Sequence, residues 1–411
     1  MEWGNSANIN EEHLARLEEI DANLLQRAQS LAGQTDAPGQ QEVKQAGDLV
    51  SSLSKGPAGG HEERVTNCRV QRPIWSLRAQ VNRSQAAAVK AAQSIQALHE
   101  RFASIERTVL DKDPQETALS RDRLSALLPG MEALLEDSKG SANGDAARAD
   151  LVQSISEAKE LLAREQTQVP RHDIESARQG LYQAADRVVQ AQNRTSGIDC
   201  RQQDCLALTF DDGPSPISSQ VFKALQDNHA VASFFSIGQK IDAQGGNTLA
   251  KIAQAGFPVG SHTWSHTDFA LISAQHLQGR EFSDAAAAVK ASTGRPVTLV
   301  RPPHGSVNEQ SRTDLLNGLA AGIALYNVDS YDWAPQASAS SVEKKVLSQV
   351  RPGSIILMHD AYQHTADALP HIIDQLRARG DQVRFVTITQ LTGEYPRAGD
   401  VYYSRTNILR M

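Results

Sequence analysis

The chain has 411 residues, a formal net charge of -7, 40% hydrophobic and 22% charged residues, and only 5% aromatics. That length exceeds one ordinary domain, so two or three are expected, and the scarcity of aromatics points to a helical, thinly cored part. The acidic balance with both signs interspersed leaves no basic face for nucleic acid, and no run approaches the roughly 18 apolar residues that cross a bilayer.

The first half reads as helices. Leu14, Leu17, Ile20, Leu24, Ala28 and Leu31 recur at three- and four-residue steps, the spacing of one helical face. Gly33 to Gln40 breaks the pattern, and Lys55 to Gly60 has the composition of a flexible connector. Pro73 is placed to open a helix, and Ala88, Ala92, Ile95, Leu98, Phe102, Ile105 and Val109 carry a long stripe. Leu124, Leu127, Leu128, Leu134 and Leu135 predict another helix before a Gly/Ser/Asn linker at 139–144. Beyond it, Leu151, Ile155, Ala158 and Leu162 form one stripe, and Ile174, Ala177, Leu181, Ala184 and Val188 form a second after Pro170. Short connections between such stripes imply antiparallel neighbours in a bundle. This half carries little chemistry: its charged residues read as solvated faces.

Near residue 200 the pattern changes. Cys200 and Cys205 bracket four residues, a spacing that permits a bridge without demanding one; Cys68 is then left unpaired. A bridge implies an oxidising compartment, although the first thirty residues lack the basic-then-apolar layout of a secretory leader. Short apolar runs follow at 206–210, 231–237, 257–260, around Thr298, and at 323–328, 354–358 and 384–388. Helical stretches separate them at 218–228, 285–292, 310–321, 342–349 and 365–379. Buried strands alternating with helices predict a parallel sheet or a β/α barrel of about seven units, with functional residues at the carboxyl ends of the strands.

The polar clusters fall at those ends. Asp211-Asp212-Gly213-Pro214 follows the first strand; in an extended chain the two carboxylates point in different directions, one toward a metal and one toward a substrate, while Asp-Gly-Pro is also ordinary turn chemistry. His262 and His266 lie four apart, a spacing that on one helical turn projects both rings to the same side. With Asp212 they make a two-His, one-carboxylate set of the kind that holds zinc, cobalt, nickel or manganese with positions open for water and substrate. With twelve histidines in the chain, a coincidental pair is the competing explanation. Arg301-Pro-Pro-His304-Gly305 is a stiffened loop suited to a preorganised oxyanion or carboxylate partner. Asp329-Ser-Tyr-Asp332-Trp333 and Leu357-Met-His359 end two further strands.

In this order the five clusters resemble the motifs of the polysaccharide deacetylases, the NodB-homology or carbohydrate esterase family 4 enzymes, over residues 200 to about 395. The resemblance implies a distorted (β/α) barrel and metal-dependent removal of acetyl groups from N-acetylated sugars, or in some members of O-acetyl groups from xylan. Position by position, it implies Asp211 as general base, Asp212, His262 and His266 as metal ligands, zinc being the first choice, and His359 as general acid. Arg301 would orient Asp211, Asp329 would hold His359, and Trp333 and Leu357 would line the acetyl pocket. His304 stands where the family commonly has tyrosine; its backbone NH still serves as an oxyanion donor. Residues 147–190 resemble the FIVAR helical modules of bacterial surface proteins, which implies a spacer or cell-wall role, a plain structural bundle being the alternative.

The expected organisation is therefore multidomain: a helical segment with a linker at 1–60, an all-α bundle at 61–142, a FIVAR-like module at 143–196 and a TIM-like deacetylase barrel at 197–411. The expected function is an extracellular or wall-associated N-acetylglucosamine deacetylase acting on peptidoglycan or chitin-type glycan. An O-acetyl xylan esterase is the alternative within the family, and a non-catalytic wall-binding or adhesion protein the alternative outside it.

Overall fold

The computed structural model describes residues 111, 113–139, 146–244, 246–268, 277–380 and 383–411. The stripes at 14–31 and 88–109, the connector at 55–60, Pro73 and Cys68 lie outside the described residues. Two compact units divide the chain, one of residues 1–117 and 170–172, the other of 118–169 and 173–411. In the first, Asp111 accepts the backbone NH of His172 at 2.9 Å. The second carries all of the chemistry-bearing motifs.

Three helices lead into it: α1 (Pro114–Asp137), α2 (Ala146–Ala163) and α3 (Arg171–Thr195). The apolar stripes read from the sequence become their inner faces: Leu124, Leu127 and Met131 of α1 pack with Leu151 and Ile155 of α2 and with Ile174, Leu181 and Val188 of α3. That core does not stop at the helices. Ala320, Tyr395 and Ala398, from the strand-bearing part of the chain, belong to the same cluster. The Tyr182 hydroxyl accepts the Ala398 NH at 3.1 Å, and Arg397 forms a two-pronged ion pair with Asp186, Nη1 to Oδ1 being 3.0 Å. At Gly130 a Cβ would collide with the Tyr395 hydroxyl, so only glycine lets the ring lie this close to α1.

The rest alternates strands with helices: β1 (Asp204–Gly213), α4 (Ser218–Asp227), β2 (Ala232–Ser236), α5 (Gly238–Gln244), α6 (Gly246–Gln254), β3 (Val259–Ser261), a π-helical turn (Leu277–Asp284), α7 (Ala285–Thr293), β4 (Leu299–Val300), α8 (Glu309–Gly318), β5 (Gly322–Ala324), β6 (Val328–Asp329), α9 (Ala339–Gln349), β7 (Ile355–His359), α10 (Gln363–Arg377), β8 (Val383–Phe385), α11 (Ile388–Thr392), β9 (Val401–Tyr402) and β10 (Ile408–Leu409). Capping boxes at Asn308, Ser338 and Thr387 start α8, α9 and α11. Every ladder is parallel except β9 with β10. The sheet runs β10-β9-β5-β4-β3-β2-β1-β7-β6, with β8 also paired to β1. Apolar β1 and β2 are buried on both faces, which is why their hydrophobic runs are continuous rather than alternating. Cys200 and Cys205 are bridged, closing the loop that enters β1.

The run expected as one strand at 323–328 is two. β5 pairs β4 and β9, whereas β6 pairs β7 at the far side of the sheet. Only Leu325, Tyr326 and Asn327 join them, a reach of about 14 Å at most. The sheet must therefore curl until its β5 and β6 sides almost meet, a parallel-dominated, incompletely closed barrel. An apolar run shows burial, not which neighbour each half pairs with, so this division was not legible locally.

Candidate active site

The curl gathers the strand ends. Register sets Asp211 of β1 opposite His359 of β7 and opposite Phe235 of β2, and Ser261 of β3 opposite Val300 of β4, so His262 and Arg301 emerge side by side at the same rim.

Asp211 and Asp212 do not diverge as regular strand alternation predicts. The β1–β2 register slips between Asp211 and Gly213, and Asp212 takes a left-handed φ of 71°. Such a bulge re-aims a side chain. As a result both carboxylates approach one nitrogen, His262 Nε2, at 3.7 Å from Asp211 and 3.5 Å from Asp212. His266 Nε2 lies 3.3 Å from the same Asp212 oxygen.

The histidine pair is likewise not on a helical turn. Both residues sit in the loop after β3, where left-handed φ values at Thr263 (66°) and His266 (61°) fold the chain back and bring the rings to 4.8 Å between centroids. The ligand atoms of Asp212, His262 and His266 all lie within 4.8 Å of one another. His262 Nδ1 bonds the Arg301 carbonyl at 2.7 Å; as donor there, it leaves Nε2 with a free lone pair facing the cluster. Burial holds both imidazoles below their usual range, His262 at about 3, so both favour the neutral, ligating form. The buried Asp212 Oδ1 has no hydrogen-bond partner. A converging two-nitrogen, one-oxygen donor set around an orphaned carboxylate oxygen fits a divalent cation.

Arg301 is fully buried and donates four hydrogen bonds. Nε donates to the Ala324 carbonyl at 2.9 Å, Nη2 to the Leu325 carbonyl at 3.1 Å, and Nη1 to Thr209 Oγ1 at 2.7 Å and to Asp211 Oδ1 at 2.9 Å. Phe235 lies beneath the guanidinium, 4.3 Å from ring centroid to Cζ. Arg301 Nη1 thus holds the Asp211 carboxylate in place. Burial raises its pKa above the ordinary carboxylate value and outweighs the opposing charges of Arg301 and His359.

The partner of His359 is Asp332, not Asp329. His359 Nδ1 lies 2.6 Å from Asp332 Oδ1, while Asp332 Oδ2 accepts the His359 NH and the Thr365 hydroxyl, each at 2.7 Å. Burial alone would lower the imidazole pKa; the hydrogen bond and charge of Asp332 reverse that and carry it up to about 9. Asp329 turns outward and accepts the Tyr331 NH at 2.8 Å and the Trp333 indole NH at 3.3 Å. The turn at 329–333, with Tyr331 at φ 54°, lets only the later aspartate reach inward. Leu357 is buried on β7, Trp333 is 48% exposed, and exposed His304 (φ 59°) sets its ring 5.0 Å from that of His266.

The family model described as polysaccharide deacetylase matches residues 199–318. The chain is 34% identical over 190 residues to a peptidoglycan-N-acetylmuramic acid deacetylase of Bacillus subtilis, which covers 46% of this chain and 39% of that protein. It is 35% identical over 203 residues to a peptidoglycan-N-acetylglucosamine deacetylase of Listeria monocytogenes, 49% of this chain and 42% of that one. A peptidoglycan-N-acetylglucosamine deacetylase of Bacillus cereus is 30% identical over 191 residues, 45% of this chain and 67% of its own length. The chain belongs to the polysaccharide deacetylase family. It nevertheless spans only about two fifths of the first two of these relatives.

In this polysaccharide deacetylase domain, motif reading overlooked several groups. Asp332 stood in the same motif as Asp329, and nothing local distinguished the two. Thr209, which accepts from Arg301 and donates to the Ile356 carbonyl at 2.6 Å, opens the first motif but had been given no role. Buried Asp360 follows His359; both its oxygens lack hydrogen-bond partners, and burial pushes its pKa up to about 7. Glu281, outside every motif, had no sequence signal.

Proposed function

We propose that the chain is a metal-dependent N-acetylglucosamine deacetylase that releases acetate from peptidoglycan or chitin-type glycan. The observation that carries this reading is the convergence, at one sheet rim, of an Arg-held carboxylate, an Asp-held imidazole and a three-donor cluster. The substrate class is supported by the names of the similar proteins, which include peptidoglycan deacetylases and a chitin deacetylase of Pestalotiopsis.

Asp212, His262 and His266 would hold the metal, zinc first, with cobalt, nickel or manganese also suited to the donor set. When bound, such a cation supplies Lewis-acid polarisation of the acetyl carbonyl and lowers the pKa of water. Asp211, kept in place by Arg301 Nη1, accepts the proton of the attacking water. The His304 backbone NH serves the developing oxyanion. His359, protonated at neutral pH through Asp332, donates to the departing sugar nitrogen, so the amine leaves uncharged rather than as an amide anion. Leu357 and Trp333 border the acetyl methyl, and the role of Asp329 is to fix the exposed Trp333 indole.

The deacetylase unit is assigned to 197–411 and the FIVAR-like module to 143–196, while the segment 1–60 and most of 61–142 lie outside the described residues. An extracellular, wall-associated location is supported by the glycan substrates named for the relatives and by the Cys200–Cys205 bridge. Mass spectrometry of N-acetylglucosamine oligomers and peptidoglycan fragments incubated with the zinc-loaded protein tests the activity, read as the mass lost when an N-acetyl group becomes a free amine. Acetate from acetylated xylan alone would replace the amide reading with an ester one, and acetate from none of these would replace both with glycan binding.

A further inference from the structure

Glu281 is a buried carboxylate on the π-helical turn Leu277–Asp284, an element that supplies none of the five motifs. Its Oε2 accepts the backbone NH of Trp264 at 3.0 Å and of Ser265 at 2.9 Å, and its Oε1 accepts the Ser265 hydroxyl at 2.8 Å. These are the central residues of the loop between His262 and His266. The opposite side of that loop is held as well: the Thr263 and Trp264 carbonyls accept the NH groups of Gly238 and Gln239 at 2.9 and 3.1 Å. Arg280, beside Glu281, covers the Trp264 ring with its guanidinium 5.0 Å from the centroid.

The loop needs such restraint. Thr263 and His266 both have φ in the left-handed region, at 66° and 61°. For a β-branched threonine that conformation is an outlier, and strained residues of this kind persist only where their surroundings over-determine them. A carboxylate accepting two successive NH groups is a charge-assisted clamp on the peptide units that follow the first strained residue and precede the second. π-helical turns are themselves over-represented at functional sites, because the extra residue re-aims a side chain out of the helical ladder.

We infer that Glu281 is a positioning residue for the metal centre: it clamps the Trp264 and Ser265 amides and so holds the His262–His266 loop in its strained form, with both Nε2 atoms set toward Asp212 before any cation arrives. This rests on the reading of Asp212, His262 and His266 as a metal site. Glu281 bonds the loop at the Trp264 and Ser265 amides and at the Ser265 hydroxyl, and acts on the metal ligands through the loop. Removing an outer partner of this type costs metal affinity, typically 10- to 100-fold.

The test uses the full chain, with zinc as the titrant and cobalt as a spectroscopic reporter. Glu281→Gln, which removes the negative charge from the clamp and turns one of its two acceptors into an NH2 donor, is expected to weaken zinc binding about 10- to 100-fold and to change the visible absorption of the cobalt form. Ser265→Ala, which removes one hydroxyl and leaves both amide clamps, is expected to stay within about threefold. Hydrogen exchange on the metal-free wild-type chain should show the Trp264 and Ser265 amides protected, a readout that needs no variant to fold. Solvent-rate exchange there overturns the clamp, as does zinc affinity in Glu281→Gln within threefold of wild type. A loss in Ser265→Ala equal to that in Glu281→Gln also overturns it, by placing the effect in the hydroxyl. Absence of zinc binding by the wild type overturns instead the metal reading beneath it.

Discussion

Asp332→Asn separates the two aspartates of one motif. In the wild type the buried Asp332 carboxylate bonds His359 Nδ1 at 2.6 Å and lifts the imidazole, against the lowering effect of burial, to about 9. An amide keeps the shape but loses the charge, and its NH2 must face the His359 NH, the Thr365 hydroxyl or Nδ1. Burial is then opposed only by the charges of Asp211 and Asp212, so the His359 pKa should fall toward the ordinary imidazole value of about 6.5. At pH 8 the protonated fraction drops from about 0.9 toward about 0.03, a loss of up to roughly 30-fold in competent general acid. The sign follows from the role: a proton donor works below its pKa, so the alkaline limb of kcat/KM moves from near pH 9 toward neutrality. Acetate release from a chitooligosaccharide across pH 5 to 10, with zinc content and thermal unfolding measured alongside, makes the comparison. Asp329→Asn is the paired control; it loosens an exposed indole and should leave the alkaline limb in place. An unmoved limb in Asp332→Asn, or a moved one in Asp329→Asn, would refute the assignment.

Asp211→Asn should abolish acetate release while zinc still binds, since Asp211 is the base and not one of the three converging ligands; turnover at wild-type rates would remove it from that role. Gly213→Ala should lower kcat/KM by about 100-fold, because a Cβ there collides with the buried Asp360 carboxylate and displaces the bulge that aims Asp212; wild-type kinetics would show that the bulge tolerates the shift. Treatment with a chelator should stop acetate release and zinc should restore it, with far-ultraviolet circular dichroism unchanged, because the donors sit at the end of β1 and in the loop after β3, outside the apolar barrel core; loss of the fold would make the metal structural instead. Leu181→Ala, deleting a fully buried side chain of α3, should cost about 2–5 kcal/mol, and helix and sheet should melt together because Ala320, Tyr395 and Ala398 share that core. Separate transitions would show that the helices fold on their own.

The sequence by itself determined the alternation of buried strands and helices, the helical stripes that became α1 to α3, and the five polar clusters with most of their chemistry. These are legible locally because burial period and side-chain type are properties of short segments. The structure sets Arg301 on Asp211, a pairing that the family resemblance implied, and brings Asp212, His262 and His266 together. Only tertiary structure decided the rest. Whether Asp329 or Asp332 reaches His359 depends on a turn with a left-handed Tyr331. Adjacent Asp211 and Asp212 converge through a register slip, and the histidine pair meets through two left-handed residues in a loop rather than on a helical turn. Residues 322–329 split between two sides of the sheet, and Glu281 reaches sixteen residues back to the ligand loop. Each of these turns on backbone dihedrals and on partners distant in the chain, and neither is encoded in the pattern of a short segment.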